Sequence, residues 1–473
     1  MTNILAGGKV WRMKSYKWLC RALIAVVLFW VRTSLAAMTN AEMEQRLNQL
    51  MTIIQKQQEE IQKLKQELEQ QKTITILEQK VNKKEIKEIV KTQMKKKEKE
   101  WKGLIPKWVN RVKVSGDLRL RYEGIYNRKE RQRDGSTKDI DDRNRYRIRA
   151  RLFFDAPITD EISTHFMICT NQDQHWEATT TNQTFTDDFS DKGIYLHRAY
   201  ATYKPGWLKG LEVSAGKFKN TFLHTDIMWD PDVNPEGTYE RYQYKGFRNF
   251  QPFIHLGQMV VNEVNKDKDA YLYINQAGFD WNIGPIKWTL AGSYYNWDNL
   301  EATKWLHKAE YKGGGGNTFI IDKAGEFQYA YDYNLWEAIS FVRFKLGVLP
   351  AKLIFDYIVN SANDVPSDQD TAYYLGFELG KTKHKGDWSI AYKYARIEKD
   401  AVIASINDQD FYGANGKGHK IKLRYMLFDH LRFAAAYFNT EPVDDWDPAS
   451  PTFKNNKTRE EEDRIQADFI FKF

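Results

Sequence analysis

The stretch Arg143-Asn144-Arg145-Tyr146-Arg147-Ile148-Arg149-Ala150-Arg151-Leu152 decides how this chain folds. Every second residue is an arginine, and the residues between are mostly apolar, continuing to Phe154. A helical period would scatter the arginines around an axis, whereas a strand sends alternate side chains to opposite faces. One face is therefore a ladder of guanidinium groups and the other is largely greasy. Two environments fit. A soluble sandwich would place the apolar face in a core and the arginines in bulk water. A barrel in lipid would place the arginines in an aqueous lumen. This strand alone does not choose.

Repetition of the pattern chooses. Val112, Val114, Leu118, Leu120 and Tyr122 alternate with Lys113, Ser115, Asp117, Arg119 and Arg121. Ile421, Leu423, Tyr425 and Leu427 alternate with Lys420, Lys422 and Arg424. Ile465, Ala467, Phe469, Phe471 and Phe473 alternate with Arg464, Gln466, Asp468, Ile470 and Lys472. Further segments of this kind fall near 162–174, 193–204, 210–220, 237–248, 251–264, 269–282, 285–298, 333–347, 351–362, 369–381, 386–398 and 430–440. The total is about sixteen strands, each near the ~9–11 residues that a tilted strand needs to cross a bilayer. Strands in soluble sheets run nearer five or six residues. The expected fold is an all-β transmembrane barrel of antiparallel strands, preceded by a coiled-coil helix.

Connection lengths alternate as well. Short turns at Pro157–Glu161, Pro205–Lys209, Asn282–Pro285, Gly347–Pro350 and Asp429–His430 follow even strands. Long polar loops at 127–142, 175–192, 221–236, 299–332, 399–416 and 441–461 follow most odd ones. Short turns at one end and long loops at the other are the barrel signature. The short link near 265–268 breaks this rule and challenges the strand count there. Tyr203, Trp207, Trp281, Trp288, Tyr294, Tyr295 and Trp297 lie near strand ends, where amphipathic rings favour the headgroup level.

Composition agrees with this reading. The mean hydropathy of -0.65 is polar, as a barrel with a wet lumen and wet loops should be. No apolar run reaches the roughly 18 residues of a spanning helix, so a membrane would be crossed by strands. Residues 1–104 hold 21 of the 71 basic and 11 of the 63 acidic side chains, leaving 50 and 52 for 105–473. The basic excess belongs to the N-terminal segment, so the high pI does not mark a nucleic-acid binder. Cys20 and Cys169 are the two cysteines, and no disulfide framework can be built from them.

Residues 1–37 read as an export signal. Met13 is a candidate start, Ala22–Val31 an apolar core, and Ser34-Leu35-Ala36 a small-residue cleavage site. Residues 38–104 read as a helix. Leu47, Leu50, Ile54, Ile61, Leu64 and Leu68 share a and d positions of one heptad register, with Gln57 and Gln71 at two further d positions. So narrow a stripe implies self-association. The barrel domain is then 105–473.

Three motifs carry a resemblance. Phe469, Phe471 and Phe473 end the sequence on one face, which resembles the assembly signal of outer-membrane barrels. Ser115-Gly116-Asp117-Leu118-Arg119-Leu120-Arg121 precedes the arginine strand. A third stretch runs from Leu196-His197-Arg198-Ala199-Tyr200 through Gly216-Lys217-Phe218 to Asp230-Pro231-Asp232-Val233-Asn234-Pro235-Glu236-Gly237. Over roughly 110–473 these resemble a porin family that carries an N-terminal coiled coil, within the general and phosphate-selective porin-like barrels. The resemblance implies passive diffusion of small hydrophilic solutes across a bacterial outer membrane. It also implies a homo-oligomer, expected as a trimer, with the coiled coil in the periplasm. The partners expected are outer-membrane lipid and the barrel assembly machinery; the Lys-rich run 95–99 reads first as a solvated charge run and, as the alternative, as a contact with lipid or the cell wall.

The resemblance also implies that the loop after the fifth strand folds inward. That loop offers Asp226, Asp230, Asp232 and Glu236. The wall facing it, by strand parity, offers Arg119, Arg121, Arg143, Arg145, Arg147, Arg149, Arg151, Lys217 and Lys219. Carboxylates across a narrow gap from guanidinium groups make a transverse field that favours polar solutes. A row of permanently charged arginines would bias passage toward anions. The same arginines could instead serve mainly to hold the loop. The Asp230, Asp232 and Glu236 spacing matches no complete calcium loop. Ser163, His165 and Asp173 share a strand face without the arrangement of a hydrolytic triad, and no cofactor, metal or enzymatic chemistry is expected. The rival expectation is a structural or adhesive barrel that links envelope layers through its coiled coil.

Overall fold

The computed structural model describes residues 109–131, 136–171, 178–186, 188–266, 268–300, 316–321, 327–411, 413–444 and 458–473. It also describes residues 45, 48, 51–52, 55–60, 62–64, 66, 91–94 and 97. The chain divides into two compact units, Met1–Leu104 and Ile105–Phe473. In the first, the described residues are helical and exposed; Leu64 is an example. The export signal and the heptad positions Leu47, Leu50, Ile54, Ile61, Leu68 and Gln71 lie outside the described residues. No described helix is long and apolar enough to cross a membrane, which says nothing about strands.

The second unit is a closed antiparallel cylinder of sixteen long strands. They are β1 (Lys113–Tyr126), β2 (Arg143–Pro157), β3 (Ile162–Thr170), β4 (Ile194–Tyr203), β5 (Leu211–Lys217), β6 (Glu236–Gln243), β7 (Phe250–Asn262) and β8 (Ala270–Ile283). The circuit continues with β9 (Ile286–Asp298), β10 (Asn334–Leu346), β11 (Leu349–Asn360), β12 (Thr371–Gly380), β13 (Trp388–Ile397), β14 (Gly416–Phe428), β15 (Leu431–Pro442) and β16 (Glu462–Lys472). Each pairs with its neighbours in sequence, and β16 pairs with β1 to close the ring. Closure removes the two edges that an open sheet would present to lipid. All the anticipated strands are present, and β7 pairs with β8 across the short link that had challenged the count.

The faces follow the alternation. On β16, Ile465, Phe469 and Phe471 are exposed on the outside, while Arg464, Gln466 and Asp468 are buried inside. On β2, Tyr146 is exposed outside, and Arg147 and Arg149 are buried inside. Turns at one end are tight. Gly347 and Val348 alone join β10 to β11, and Gly347 has φ 61°, a backbone conformation that two-residue hairpins require and glycine supplies without strain.

Two expectations need correction. β3 ends at Thr170, β5 at Lys217 and β6 at Gln243, each short of the expected 174, 220 and 248. β5 stops early because the chain turns into the barrel: Phe218 is 1% exposed, and its N–H donates to Pro235 O at 2.9 Å. Tyr295 and Trp297 do not sit at an interface. Both face inward, where Tyr295 OH donates to Glu337 Oε2 at 2.8 Å and Trp297 stacks on Trp229. Their parity in β9 is that of the lumen; only Tyr294 faces outward, against Trp336.

Candidate functional site: a divided lumen

The interior has an apolar half and a charged half. The apolar half forms where segments 218–235 and 398–415 fold inward. Phe222, Ile227, Met228 and Trp229 from the first pack with Val402, Ile403, Ile406 and Phe411 from the second. The inner faces of β8 to β13 supply Leu272, Ile274, Leu335, Ile358, Ala372 and Ala395 to the same cluster. Burial of this apolar surface anchors both loops inside the cylinder at roughly 25 cal/mol per Å². Backbone bonds join them: Asp230 N–H donates to Ile406 O at 2.8 Å, and Asp408 N–H to Asp226 O at 3.0 Å. Asn317, fully buried, donates to Val402 O at 2.8 Å and accepts from Ala404 N–H at 2.9 Å.

The charged half is the inner face of β14, β15, β16, β1 and β2. Register sets its order: Arg119 lies opposite Arg149, Arg121 opposite Arg147, Glu123 opposite Arg145, and Asp117 opposite Arg151. On the other side of β1, Asp468 is the partner of Arg121. Arg121 grips Asp468 with two bonds, Nε to Oδ1 at 2.7 Å and Nη2 to Oδ2 at 2.9 Å. Asp117 accepts from Arg149 at 2.8 Å and from Arg151 at 2.7 Å. Glu123, with no exposure, accepts from Arg145 Nε at 2.6 Å and from Gln466 Nε2 at 2.9 Å, and lies 3.7 Å from Arg147. Arg143 stands exposed at the long-loop end.

The sequence-named acids reach different partners. Asp232 is 3.6 Å from Arg151 and accepts from Thr181 Oγ1 at 2.9 Å, so it meets the arginine wall. Thr181 belongs to the loop after β3, whose Asn182 bonds Arg119. Asp226 points the other way, to Lys393 Nζ at 2.9 Å and Lys420 Nζ at 3.6 Å. Asp230 accepts the N–H of Asp232 at 2.7 Å. Glu236 is the first residue of β6 and pairs with Lys217 at 2.6 Å, away from the arginine wall. Lys219 is exposed in the loop after β5. Among the described residues, no group of three or more His, Cys, Asp or Glu could hold a metal ion.

Burial and neighbouring charge tune the loop acids in opposite senses. Burial pushes the Asp226 carboxyl up, but the ammonium groups of Lys393 and Lys420 outweigh it, so the group stays below the ordinary carboxylate range. Asp232 is held down against the same burial by Arg149, Arg151 and Arg119. Asp410 falls well below the ordinary range because Arg464, Arg121 and Arg147 surround it. Asp230 goes well above, because it is buried and lies beside the carboxylates of Asp232 and Asp408.

Several of these groups were not anticipated. Asp410 and Asp408 come from the loop after β13, and no period marks a loop residue as inward-facing. Lys393 and Lys420 sit on the lumen parity of β13 and β14, which could have flagged them. Ser163 Oγ lies 2.9 Å from His165 Nε2, and His165 Nδ1 lies 2.6 Å from Asp155 Oδ1. The acid is Asp155 of β2, opposite His165 in register; Asp173 lies outside the described residues. Tyr200 stacks on the imidazole with centroids 4.6 Å apart, fixing the ring at the short-turn end of the lumen.

A closed sixteen-stranded cylinder, apolar outside and charged inside, is the architecture of a porin-like channel. The sequence matches the family described as "Putative porin" over residues 28–141, 134–318 and 326–458, and the chain belongs to that family. No curated protein matches the sequence. Among solved structures it is similar to OprB of Pseudomonas putida at high pH, with 11% identity, 79% of this chain and 97% of that chain covered, and a TM-score of 0.48. It is also similar to the outer membrane channel DcaP of Acinetobacter baumannii, with 16% identity, coverage of 76% and 97%, and a TM-score of 0.40. OmpF of Salmonella typhi in complex with daunomycin gives 10%, 76%, 97% and 0.42.

Proposed function

We propose that this chain forms a passive channel for small hydrophilic solutes across a bacterial outer membrane, with a bias toward anions. The observation that carries the reading is the juxtaposition of an acidic inward loop and a cationic wall inside a closed cylinder: Asp232 reaches Arg151 across the lumen. Such a site orders water and stabilises charge without offering covalent chemistry. Beyond the arginines already named, Lys420, Lys422, Arg424 and Arg432 share the lumen parity of β14 and β15, which supports a positive interior.

On this reading residues 1–37 direct export, 38–104 form a periplasmic coiled coil, and the long-loop end of the cylinder lies on the cell-exterior side. Copies associate as a trimer, and Phe469, Phe471 and Phe473 guide assembly. Lys217 and Lys219 would line the approach rather than the narrowest point, since one pairs with Glu236 and the other is exposed. Planar-bilayer recording in a salt gradient tests the function. A stable open channel whose reversal potential favours anions is expected; a silent barrel rejects the channel, and a cation preference rejects the bias.

A further inference from the structure

The outer face of the cylinder is not uniformly greasy. Strand register defines rows of side chains that run across neighbouring strands. One outward row passes through Phe377, Tyr392, Ile421, Tyr437 and Ile465 on β12 to β16. Each is large and apolar or aromatic, as a hydrocarbon surround favours. The outward row on β3 to β7 reads Thr164, Ala201, Ala215, Thr238 and Gln258. It holds no aliphatic side chain larger than alanine. Its parity is outward, since the sequence neighbours Thr202, Ser214 and Tyr239 are buried inside, and Ala201, Ala215 and Gln258 are exposed.

The adjacent row adds an acid. Glu240 of β6 lies opposite Val213 and Leu256, and Leu256 lies opposite Asn275 of β8. Leu256 is the seventh of the 13 residues of β7, so Glu240 and Asn275 stand near mid-wall. The Glu240 Oε2 atom is buried and has no hydrogen-bond partner among the described residues. In hydrocarbon a carboxyl group with an unsatisfied oxygen is costly. Lipid gains nothing from small side chains, whereas two protein surfaces approach closely only across them.

We infer that the outer face of β3 to β8 is a contact surface for further copies of this chain, with Glu240, Gln258 and Asn275 at its polar centre. This rests on the homo-oligomer of the proposed function and gives it a place on the wall. The chemistry is self-complementary. A carboxylate only accepts hydrogen bonds, and a second copy brings donors of its own in the Gln258 and Asn275 amides and the Thr164 hydroxyl. Six strands spaced about 4.8 Å apart, under an apolar band about 25 Å tall, give roughly 600 Å² on each copy. That is the lower end of what a stable interface buries. Six of the sixteen strands also wrap more than a third of the circumference. One flat contact cannot cover that arc, whereas copies around a shared axis each present it to two neighbours.

Light scattering of the full chain in mild detergent measures its mass, and a short flexible bismaleimide tests proximity in native membranes. An oligomer is expected. Ala215→Cys, at the middle of the arc and so nearest a shared axis, should crosslink to a second copy; Ile421→Cys, on the opposite row, should not. The parent chain is the blank, since Cys169 is buried. Ala215→Trp with Gln258→Trp should raise the concentration at which copies dissociate by at least about tenfold, because overpacking disrupts a close contact while a lipid-facing ring is tolerated. Ile421→Trp should leave it unchanged. An oligomer indifferent to the double variant, or crosslinked at 421 and not at 215, overturns the surface and keeps the oligomer. A parent that is monomeric in detergent and in membranes overturns both, while its conductance still decides the channel. A crosslink from 215 to a different protein also overturns the proposal. If the double variant lacks folded mobility on an unheated gel, Ala215→Cys carries the test alone, and a folded oligomer without its crosslink overturns the surface.

Discussion

Asp226 lies 2.9 Å from the Nζ of Lys393, a residue 167 positions away in the chain. That pair, reinforced by Lys420 at 3.6 Å, is the ionic tether of the inward loop to the wall formed by β13 and β14. Removing the acid leaves the Lys393 ammonium, only 3% exposed, with Asp408 at 3.7 Å as its one remaining carboxylate among the described residues. Asp226→Asn should destabilise the fold by about 3 kcal/mol, the scale for breaking a buried pair. Thermal unfolding in detergent measures this. Because the Asp226 pKa is depressed, its contribution is present above the free-carboxylate value of about 3.9 and disappears only as pH falls through the lower, folded value. The parent-to-variant difference should therefore persist into mildly acidic solution.

Asp230 should behave with the opposite sign. Its carboxyl is raised by burial beside Asp232 and Asp408, so the stability it contributes is complete below about pH 3.9 and lost as pH rises through the folded value. Asp230→Asn keeps an oxygen to accept the N–H of Asp232. The variant should gain thermal stability over the parent at alkaline pH and show little gain at pH 3; an equal shift at both would disprove the linkage.

Gly116 sits at the seam of the cylinder. Its N–H donates to Phe473 O at 2.8 Å, and it accepts from Phe473 N–H at 3.1 Å. A Cβ there would stand 2.5 Å from the Phe473 ring and 2.7 Å from Arg151 O, contacts that force movement of the backbone. Gly116→Val should slow assembly and lower the unfolding temperature, with a cost of roughly 1–3 kcal/mol for overpacking. Band-shift on unheated gels reports the fraction folded. Phe473→Ala in the Gly116→Val background should restore part of the loss.

The Ser163, His165 and Asp155 chain of bonds invites a test for hydrolysis. A fluorophosphonate probe is expected to leave Ser163 unmodified, because the chain orients a ring beside Tyr200 within a channel. Stoichiometric labelling abolished by Ser163→Ala would establish a reactive serine and contradict the purely passive reading.

Much of the barrel was legible because its physics is local. Alternation at Arg143–Leu152 and at Arg464–Phe473 names the two faces, and a shift of one residue would put charge in lipid. The height of each residue and the contents of the lumen were not legible. Asp226 and Asp232 are six residues apart in one loop, yet one binds lysines of β13 and β14 and the other meets Arg151. Only three-dimensional closure distinguishes them. Phe222, Met228 and Trp229 look like ordinary loop residues until the apolar inner faces of β8 to β13 provide their core.

Pairing of β1 with β16 joins segments separated by more than three hundred positions, such as Arg121 and Asp468. No partial cylinder made during synthesis can be sealed, since β1 waits for β16 to emerge before its second edge is satisfied. Closure must therefore follow completion of that final strand, and a chain cut anywhere within the wall leaves two open edges, a template for cross-strand aggregation rather than a smaller pore.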